Sequence, residues 1–174
     1  MQKFDLNLSG CSGTIVIQTP EKIYVAWVGD CHAMMCLKDR KYQAVKLTQE
    51  LDLVHTPQNE KELNRIYSNK GEVKTSLSLS GDKKPRVYVR GRMYPGLSTT
   101  RSLGDLLAHQ IGVTSEPSIK IHKVSKEQSE RFIALGTDGI WDNMNADDLM
   151  DNIKDIKDVG KGSEYIVKKI RDMV

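Results

Sequence analysis

Cysteine is scarce in this sequence of 174 residues, which holds three: Cys11, Cys31 and Cys36. They include no Cys-x-x-Cys pair. A disulfide framework needs an even and denser set of cysteines, and a structural zinc site needs closely spaced ligands. We therefore predict buried thiols in a reducing compartment, the cytoplasm or the nucleus.

Long apolar runs and an excess of one charge are also absent. No run approaches the ~20 residues of a membrane span, and residues 1–10 lack the charged start and apolar core of a signal peptide. The 26 basic and 23 acidic residues give a formal net charge of +3. This mild charge indicates neither nucleic acid nor a membrane surface as partner. With 39% hydrophobic and 28% charged residues, the composition is typical of one globular domain.

The first half of the chain shows β patterns. Residues 14–18 form a short apolar run, and Ile23 to Val28 is apolar on both alternating faces, which predicts a central strand covered on both sides. Residues 33–37 and 42–47 flank Lys38-Asp39-Arg40 and predict a hairpin. The polar stretch 74–85 predicts an exposed loop or hairpin, and further strands are predicted at 87–89, 118–124 and 131–137.

Three helices are predicted. In the first, Thr56 caps, Pro57 lies in the first turn and Gly71 ends the helix. Asn145 caps the second, whose apolar stripe is Leu149, Met150, Ile153 and Ile156. Ser163 caps the third, whose inward residues are Ile166, Val167, Ile170, Met173 and Val174. Strands followed by helices, with hairpin connections, predict an α+β fold with antiparallel sheets.

Three aspartates sit beside a glycine or at a strand end. Asp30 follows Gly29, Asp138 follows an apolar run and precedes Gly139, and Asp142 lies four residues later. A carboxylate at the end of a buried strand is held rigidly, and oxygen is the ligand that Mg²⁺ and Mn²⁺ prefer. Such an ion can lower the pKa of a bound water and clamp a phosphoryl oxygen. The residues alone leave a second interpretation open, because Gly-Asp and Asp-Gly are common turn dipeptides.

Several longer blocks occur together and in a fixed order. Residues 132–142 read Phe-Ile-Ala-Leu-Gly-Thr-Asp-Gly-Ile-Trp-Asp, and residues 95–105 contain Gly-Leu-Ser-Thr-Thr-Arg-Ser-Leu-Gly-Asp, with Glu116-Pro117 after them. Upstream are Ser12-Gly13-Thr14, Val28-Gly29-Asp30 and a spaced set of Pro57, Glu62, Arg65, Ile66, Gly71 and Val73. Together these blocks resemble the protein phosphatase 2C family of metal-dependent serine/threonine phosphatases and span nearly the whole chain.

The resemblance implies a fold and an activity. The fold is an αββα sandwich of two antiparallel sheets flanked by helices, incomplete at both ends here. The activity is hydrolysis of phosphoserine and phosphothreonine in proteins by a water activated at a two-metal Mg²⁺ or Mn²⁺ centre. Asp138 falls on the carboxylate that binds the catalytic metals, and Asp30 and Asp142 fall on carboxylates associated with an additional, weaker metal. Residues 74–90 fall on the family's variable flap.

Some family motifs have no counterpart. The N-terminal Arg for phosphate, the Glu-Asp pair and the Asp-Gly-His-Gly-Gly loop do not occur before Ser12. The family's final Asp-Asn is expected after the last helix, and the sequence ends at Val174. Within the blocks, three residues differ from those usual in the family. Cys31 stands in place of Ser, Val54 stands in place of the Asp before His-x-Pro, and Lys70 stands in place of the first glycine of a Gly-Gly pair. Val54 and Lys70 place changes at the active-site rim.

We interpret residues 1–174 as a single domain, the C-terminal portion of a phosphatase catalytic domain. The expected site residues are the metal ligands Asp138, Asp142 and Asp30, with no catalytic residue beyond them. We expect the chain alone to be inactive and the protein to be a monomer that acts on phosphoprotein substrates, with no nucleic acid and no membrane as partner. The alternative is a pseudophosphatase that acts as a regulatory binding module.

The remaining polar and aromatic residues receive plainer predictions. His55 matches the family's His-x-Pro and lies at or near the cleft in one interpretation. The other histidines, His32, His109 and His122, are predicted to be surface residues or to have hydrogen-bond partners within the protein. Trp141 is predicted to be a packing anchor. For Arg101 the alternatives are a position in the cleft and a structural ion pair with a carboxylate, and we favour the ion pair.

Overall fold

The computed structural model describes residues 5–38, 41–48, 54–77, 83–124 and 129–173. Their contacts divide the chain into two compact units. The first comprises Met1–Gly13, Ala26–Asp30 and Glu50–Ser118, and the second comprises Thr14–Val25, Cys31–Gln49 and Ile119–Val174. The single domain indicated by the composition stays a prediction.

Five strands are followed by one helix, four strands, one helix, two strands and three helices, counted over the described residues. The strands are β1 (Gly10–Cys11), β2 (Gly13–Gln18), β3 (Lys22–Val28), β4 (His32–Lys38), β5 (Tyr42–Lys46), β6 (Gly71–Leu77), β7 (Lys83–Val89), β8 (Pro95–Leu97), β9 (Leu103–Gly104), β10 (Ser118–Lys123) and β11 (Ser129–Gly136). The helices are α1 (Glu60–Ser68), α2 (Leu106–His109), α3 (Asp138–Trp141), α4 (Ala146–Ile153) and α5 (Val159–Arg171). None of these described helices is long and apolar enough to cross a membrane.

In the second unit, an antiparallel sheet with the order β11-β4-β5 supports the helices. The predicted hairpin around residues 38–40 is confirmed, because β4 and β5 pair from Lys38↔Tyr42 to Met34↔Lys46. Its turn, residues 39–40, lies outside the described residues. The central strand β4 is buried from His32 to Leu37, as expected for a strand that is apolar on both faces.

The core of the second unit lies between this sheet and the helices α4 and α5. One cluster of buried side chains consists of Met34, Cys36, Met144, Ala146, Leu149, Met150, Ile166 and Ile170. Each large side chain of this kind stabilises the fold by roughly 1.5–3 kcal/mol through removal of apolar surface from water. Trp141 packs against the cluster and donates a hydrogen bond from Nε1 to Gly136 O at 2.8 Å, so its prediction as a packing anchor is confirmed.

A further sheet has the order β10-β3-β2, and β3 is central, as predicted. Ile23, Val25 and Trp27 are at most 1% exposed, whereas the alternating residues Tyr24 and Ala26 are half-buried. Cover on both sides is therefore complete on one face of β3 and partial on the other.

In the first unit, β6 and β7 form a long antiparallel hairpin that continues to β8. Its pairing runs from Gly71↔Val89 to Leu77↔Lys83, and the tip, residues 78–82, lies outside the described residues. The hairpin alternative for residues 74–85 is thus confirmed, while the role of residues 74–90 as a flap stays a prediction. The apolar core here contains Ile66 of α1 together with Val87, Ala108, Ile111 and Val113.

The predicted start of the first helix is wrong by three residues. Helix α1 begins at Glu60, and its N-cap is Asn59, whose Oδ1 accepts a hydrogen bond from Lys61 N at 2.9 Å. The carbonyl oxygen of Thr56 instead accepts a hydrogen bond from Asn59 N, in the turn that precedes the helix. The predicted end is also wrong: the helix stops at Ser68, Lys70 takes the positive φ of 64°, and Gly71 already belongs to β6.

The predicted start of the last helix is wrong as well. Helix α5 begins at Val159, where Asp158 Oδ1 caps Lys161 N at 2.9 Å, and Ser163 lies inside the helix. Gly160 and Gly162 lower helix propensity, which favoured the later start, but packing of buried residues overrides it. Two predicted inward positions of this helix are corrected too, because Val167 and Met173 are 57% and 62% exposed. Val174 lies outside the described residues. Ile156, predicted in the apolar stripe of the preceding helix, follows the end of α4.

The prediction of buried thiols is correct for only one of the three cysteines. Cys36 is buried in the core, but Cys31 is half-buried and Cys11 is exposed. No disulfide joins these three residues, all of which lie in the described part of the chain.

Candidate functional site

Asp30 lies at a sharply constrained turn of the first unit. The preceding Gly29 has a φ of +83°, and a Cβ there would lie 2.2 Å from Ser12 Oγ, so no larger residue fits. The Ser12 hydroxyl donates to Asp30 Oδ1 at 2.6 Å, and Asp30 N donates to Ser12 Oγ at 3.3 Å. Ser12 therefore fixes the direction of the Asp30 carboxylate.

His55 lies on the other side of this turn. It is 1% exposed, and its Nδ1 accepts a hydrogen bond from Gly29 N at 3.1 Å. Its Nε2 lies 2.8 Å from Ser118 Oγ, and its ring stacks on that of Trp27 with centroids 5.8 Å apart. His55 thus contacts the backbone that carries Asp30. Sequence reasoning placed it only loosely, because Gly29 and Ser118 are 26 and 63 residues away along the chain.

Asp138 and Asp142 lie in the second unit, directly after β11. Asp138 opens the short helix α3 and accepts a hydrogen bond at Oδ1 from Gly139 N at 2.8 Å. Asp142 follows the helix and donates its backbone N–H to Asp138 O at 2.8 Å. Both residues are exposed. Because residues four apart share one side of a helical turn, these two side chains point to the same side.

The donor atoms fit a hard divalent ion in type but not in number. Carboxylate oxygens suit Mg²⁺ and Mn²⁺, which take about six oxygen ligands. Among the described residues, no group of three or more His, Cys, Asp or Glu side chains is arranged to hold a metal ion. The described residues therefore do not form a complete two-metal centre, and we derive no reaction step through one. Asp30 belongs to the first unit and the other two aspartates to the second, and the assignment of all three as metal ligands stays a prediction.

Glu62 is a buried carboxylate that sequence reasoning did not single out as a charged centre. Its side chain contacts the guanidinium groups of Arg65 at 2.6 Å and Arg101 at 2.7 Å. The Thr100 hydroxyl donates to Glu62 Oε2 at 2.6 Å. Burial raises the pKa of Glu62, but hydrogen bonds from Arg65, Arg101 and Thr100 outweigh burial and lower the pKa to about 2. The predicted structural ion pair of Arg101 is confirmed. The sequence feature that pointed to Glu62 was its spacing of three residues from Arg65 in one helix.

A cavity of about 800 Å³ lies in the second unit, between β11 and the helices α4 and α5. Its lining is mainly aliphatic and includes Ile133, Leu135, Ile153, Val159 and Ile166. Neither Asp138 nor Asp142 lines it. The cavity therefore belongs to the packing of the helices on the sheet and not to the candidate carboxylate site.

Comparison with known proteins identifies relatives along the whole chain. The chain is 31% identical over 155 residues to a probable protein phosphatase 2C 72 of Arabidopsis thaliana, covering 86% of this chain and 44% of the relative. It is 26% identical to a probable protein phosphatase 2C 73 of Oryza sativa subsp. japonica, covering 95% of this chain and 38% of that one. A solved serine-threonine phosphatase 2C from Toxoplasma gondii superposes with a TM-score of 0.78 at 20% identity, over 92% of this chain and 52% of the other.

These matches establish the fold and the family. The structural likeness confirms the predicted α+β fold with antiparallel sheets flanked by helices. The chain spans about half or less of the length of the relatives it matches. The profile of the family described as protein phosphatase 2C matches residues 2–174. The chain therefore belongs to the protein phosphatase 2C family.

Proposed function

We propose that the protein hydrolyses phosphoserine and phosphothreonine in proteins, in a reaction that depends on Mg²⁺ or Mn²⁺. The observation that carries this proposal is the family match over residues 2–174 together with the position of Asp138. This aspartate follows the strand β11 and is held by the backbone N–H of Gly139. Membership of a family of protein phosphatases supports the substrate class, and the exposed carboxylate supports the metal.

Within this chain, we assign the metal ligands to Asp138, Asp142 and Asp30. Asp138 and Asp142 are exposed and one helical turn apart, and Asp30 is held by the Ser12 hydroxyl. Carboxylate oxygens of this kind are the ligands that Mg²⁺ and Mn²⁺ prefer. Two or three carboxylates leave most of an octahedral shell to water or to other ligands.

We further propose that residues 1–174 alone have little or no activity. Mg²⁺ and Mn²⁺ affinity depends on the number and charge of the oxygen ligands. The incomplete ligand set among the described residues supports weak binding. The same observation favours the second candidate function, a pseudophosphatase that binds other proteins without hydrolysing phosphate esters. As before, we expect a monomer in the cytoplasm or the nucleus.

Calorimetry with Mn²⁺ tests the metal part of the proposal on this chain. We expect a dissociation constant of about 1 mM or weaker, since few carboxylates are available. The matched variants are Asp138→Asn, which should weaken binding further, and Asp147→Asn, an exposed aspartate in the first turn of α4 that should leave it unchanged. Tight stoichiometric binding to the wild-type chain would contradict the assignment of an incomplete ligand set.

Hydrolysis of p-nitrophenyl phosphate separates the two candidate functions. Residues 1–174 should show no turnover above background with added Mn²⁺. A version of the protein extended to the full length typical of its relatives should be active. Each preorganised charge that the extension adds to the site should raise the rate by roughly 10²–10³. If the extended protein binds Mn²⁺ but stays inert, the pseudophosphatase function replaces the enzyme function.

A further inference from the structure

The turn that carries Asp30 has two consecutive backbone N–H groups, and side chains satisfy both. Gly29 N donates to His55 Nδ1 at 3.1 Å, and Asp30 N donates to Ser12 Oγ at 3.3 Å. Glycine at a φ of +83° is intrinsically free to adopt other conformations. The conformation of this turn therefore depends on the two side chains that hold its amides.

The contact with Gly29 determines the protonation state of His55. A backbone N–H can only donate, so the ring nitrogen that faces it must be an unprotonated acceptor. Nδ1 therefore carries no proton, and in the neutral ring the proton resides on Nε2, which donates to Ser118 Oγ at 2.8 Å. The ring is 1% exposed and stacked on Trp27, which leaves it little freedom to rotate.

We propose that His55 is a positioning residue for Asp30. Its unprotonated Nδ1 holds the Gly29 amide, and this contact sets the direction in which the chain leaves β3 and presents the Asp30 carboxylate. Ser12 restrains the same turn from the side-chain end, through its hydrogen bond to Asp30 Oδ1. The use of Asp30 as a metal ligand rests on the proposed function, whereas the restraint of the turn by His55 does not.

Two substitutions distinguish the acceptor role of Nδ1 from general packing. In His55→Asn, the side-chain oxygen lies at about the distance of Nδ1 from the backbone and can still accept from Gly29. In His55→Gln, the amide reaches toward Ser118 but leaves the Gly29 amide without this acceptor. Both variants lose the aromatic ring and its stacking on Trp27, so the loss of packing is matched between them.

Amide hydrogen exchange of the ¹⁵N-labelled chain gives the readout. The reference is the Val89 amide, which lies in the same unit and donates to Tyr94 O at 2.9 Å. Relative to Val89, we expect Gly29 exchange in His55→Gln to be roughly tenfold or more faster than in wild type, and His55→Asn to stay within about threefold. Equal Gly29 protection in all three proteins, or changes that only follow Val89, would overturn the proposal.

A second measurement needs no variant. A long-range ¹H–¹⁵N correlation of the His55 ring in the wild-type chain should show Nδ1 as unprotonated and Nε2 as protonated. A protonated Nδ1 at neutral pH would overturn the proposal, because it could not accept from Gly29. Line broadening by Mn²⁺ near Asp30 tests the proposed function separately. If Mn²⁺ broadens no signal there, the metal role of Asp30 fails while the exchange result still decides the role of His55.

Discussion

Arg101 places its Nη2 atom 2.7 Å from Oε1 of Glu62, although the two residues are 39 positions apart in the sequence. The same carboxylate binds Arg65, one turn along α1, at 2.6 Å. Arg65 also donates to Thr100 O at 2.9 Å and Gly112 O at 2.7 Å. Glu62 and Arg65 together therefore connect helix α1 to two loops of the first unit through charged hydrogen bonds.

The first prediction concerns the loss of this charge. Glu62→Gln should lower the free energy of unfolding by roughly 2–3 kcal/mol, because two guanidinium groups lose their partner while partly buried. This loss of unfolding free energy is smaller than for a fully buried ion pair, because the side chains of Arg65 and Arg101 are 29% and 17% exposed. Urea unfolding followed by circular dichroism provides the measurement. Glu72→Gln, which removes a more exposed ion pair with Lys74, is the control and should have little effect. Equal losses would contradict the assigned importance of Glu62.

The second prediction concerns pH. The folded-state pKa of Glu62 is about 2, against 4.5 for the unpaired group. A lowered pKa means that the stabilisation is fully present above about pH 4.5 and is lost as pH falls towards 2. Unfolding measured between these pH values should show a steeper loss of stability in wild type than in Glu62→Gln. Parallel curves for the two proteins would show that Glu62 does not titrate with the lowered pKa.

The third prediction concerns the turn before Asp30. Gly29→Ala should destabilise by about 3 kcal/mol or more, since the added methyl group meets Ser12 and the positive φ is strained. Gly91→Ala is the matched control: its φ is +73°, but nothing lies within 4 Å of the added methyl group. It should cost about 1–2 kcal/mol from the backbone strain alone. Thermal unfolding of both variants measures the difference, and similar costs would contradict the close approach of Ser12.

The fourth prediction tests the start of α5. Asp158→Ala should cost about 1 kcal/mol, because the side chain caps Lys161 N. Ser163→Ala should change the free energy of unfolding by less than about 0.5 kcal/mol, since Ser163 lies inside the helix and its hydroxyl only bonds carbonyls of the preceding turn. Chemical unfolding of the two variants measures both effects. A larger loss for Ser163→Ala would restore the helix start that the sequence predicted.

Strong local patterns predicted most of the elements. The apolar residues of β3 predicted a central strand, and the runs of β4 and β5 predicted a hairpin; the structure confirms both. Asn145 was correctly predicted as the cap of α4, because an Asn followed by acidic residues favours a helix N-terminus. The hairpin and the cap both rest on contacts between residues that are close in the sequence.

What the sequence did not predict has two causes: competition between neighbouring cap residues, and contacts between residues far apart in the sequence. Thr56 and Pro57 favour a helix start, yet Asn59 caps α1, because its side chain bonds Lys61 N on one side and Val54 O on the other. The roles of Glu62 and His55 depend on partners more than twenty positions away. The metal ligands rested on the family resemblance, since an Asp-Gly pair alone is equally typical of a turn.

Hydrolysis of a phosphothreonine peptide by the full-length protein at saturating Mn²⁺ tests the central claim most directly. The rate should fall by ~10² or more in Asp138→Asn, because a ligand carboxylate is lost from a preorganised charged site. Asp147→Asn, an exposed aspartate of α4, should retain the wild-type rate. A wild-type rate in Asp138→Asn, or a full-length protein that binds Mn²⁺ without any hydrolysis, would contradict the claim that Asp138 serves a metal-dependent phosphatase.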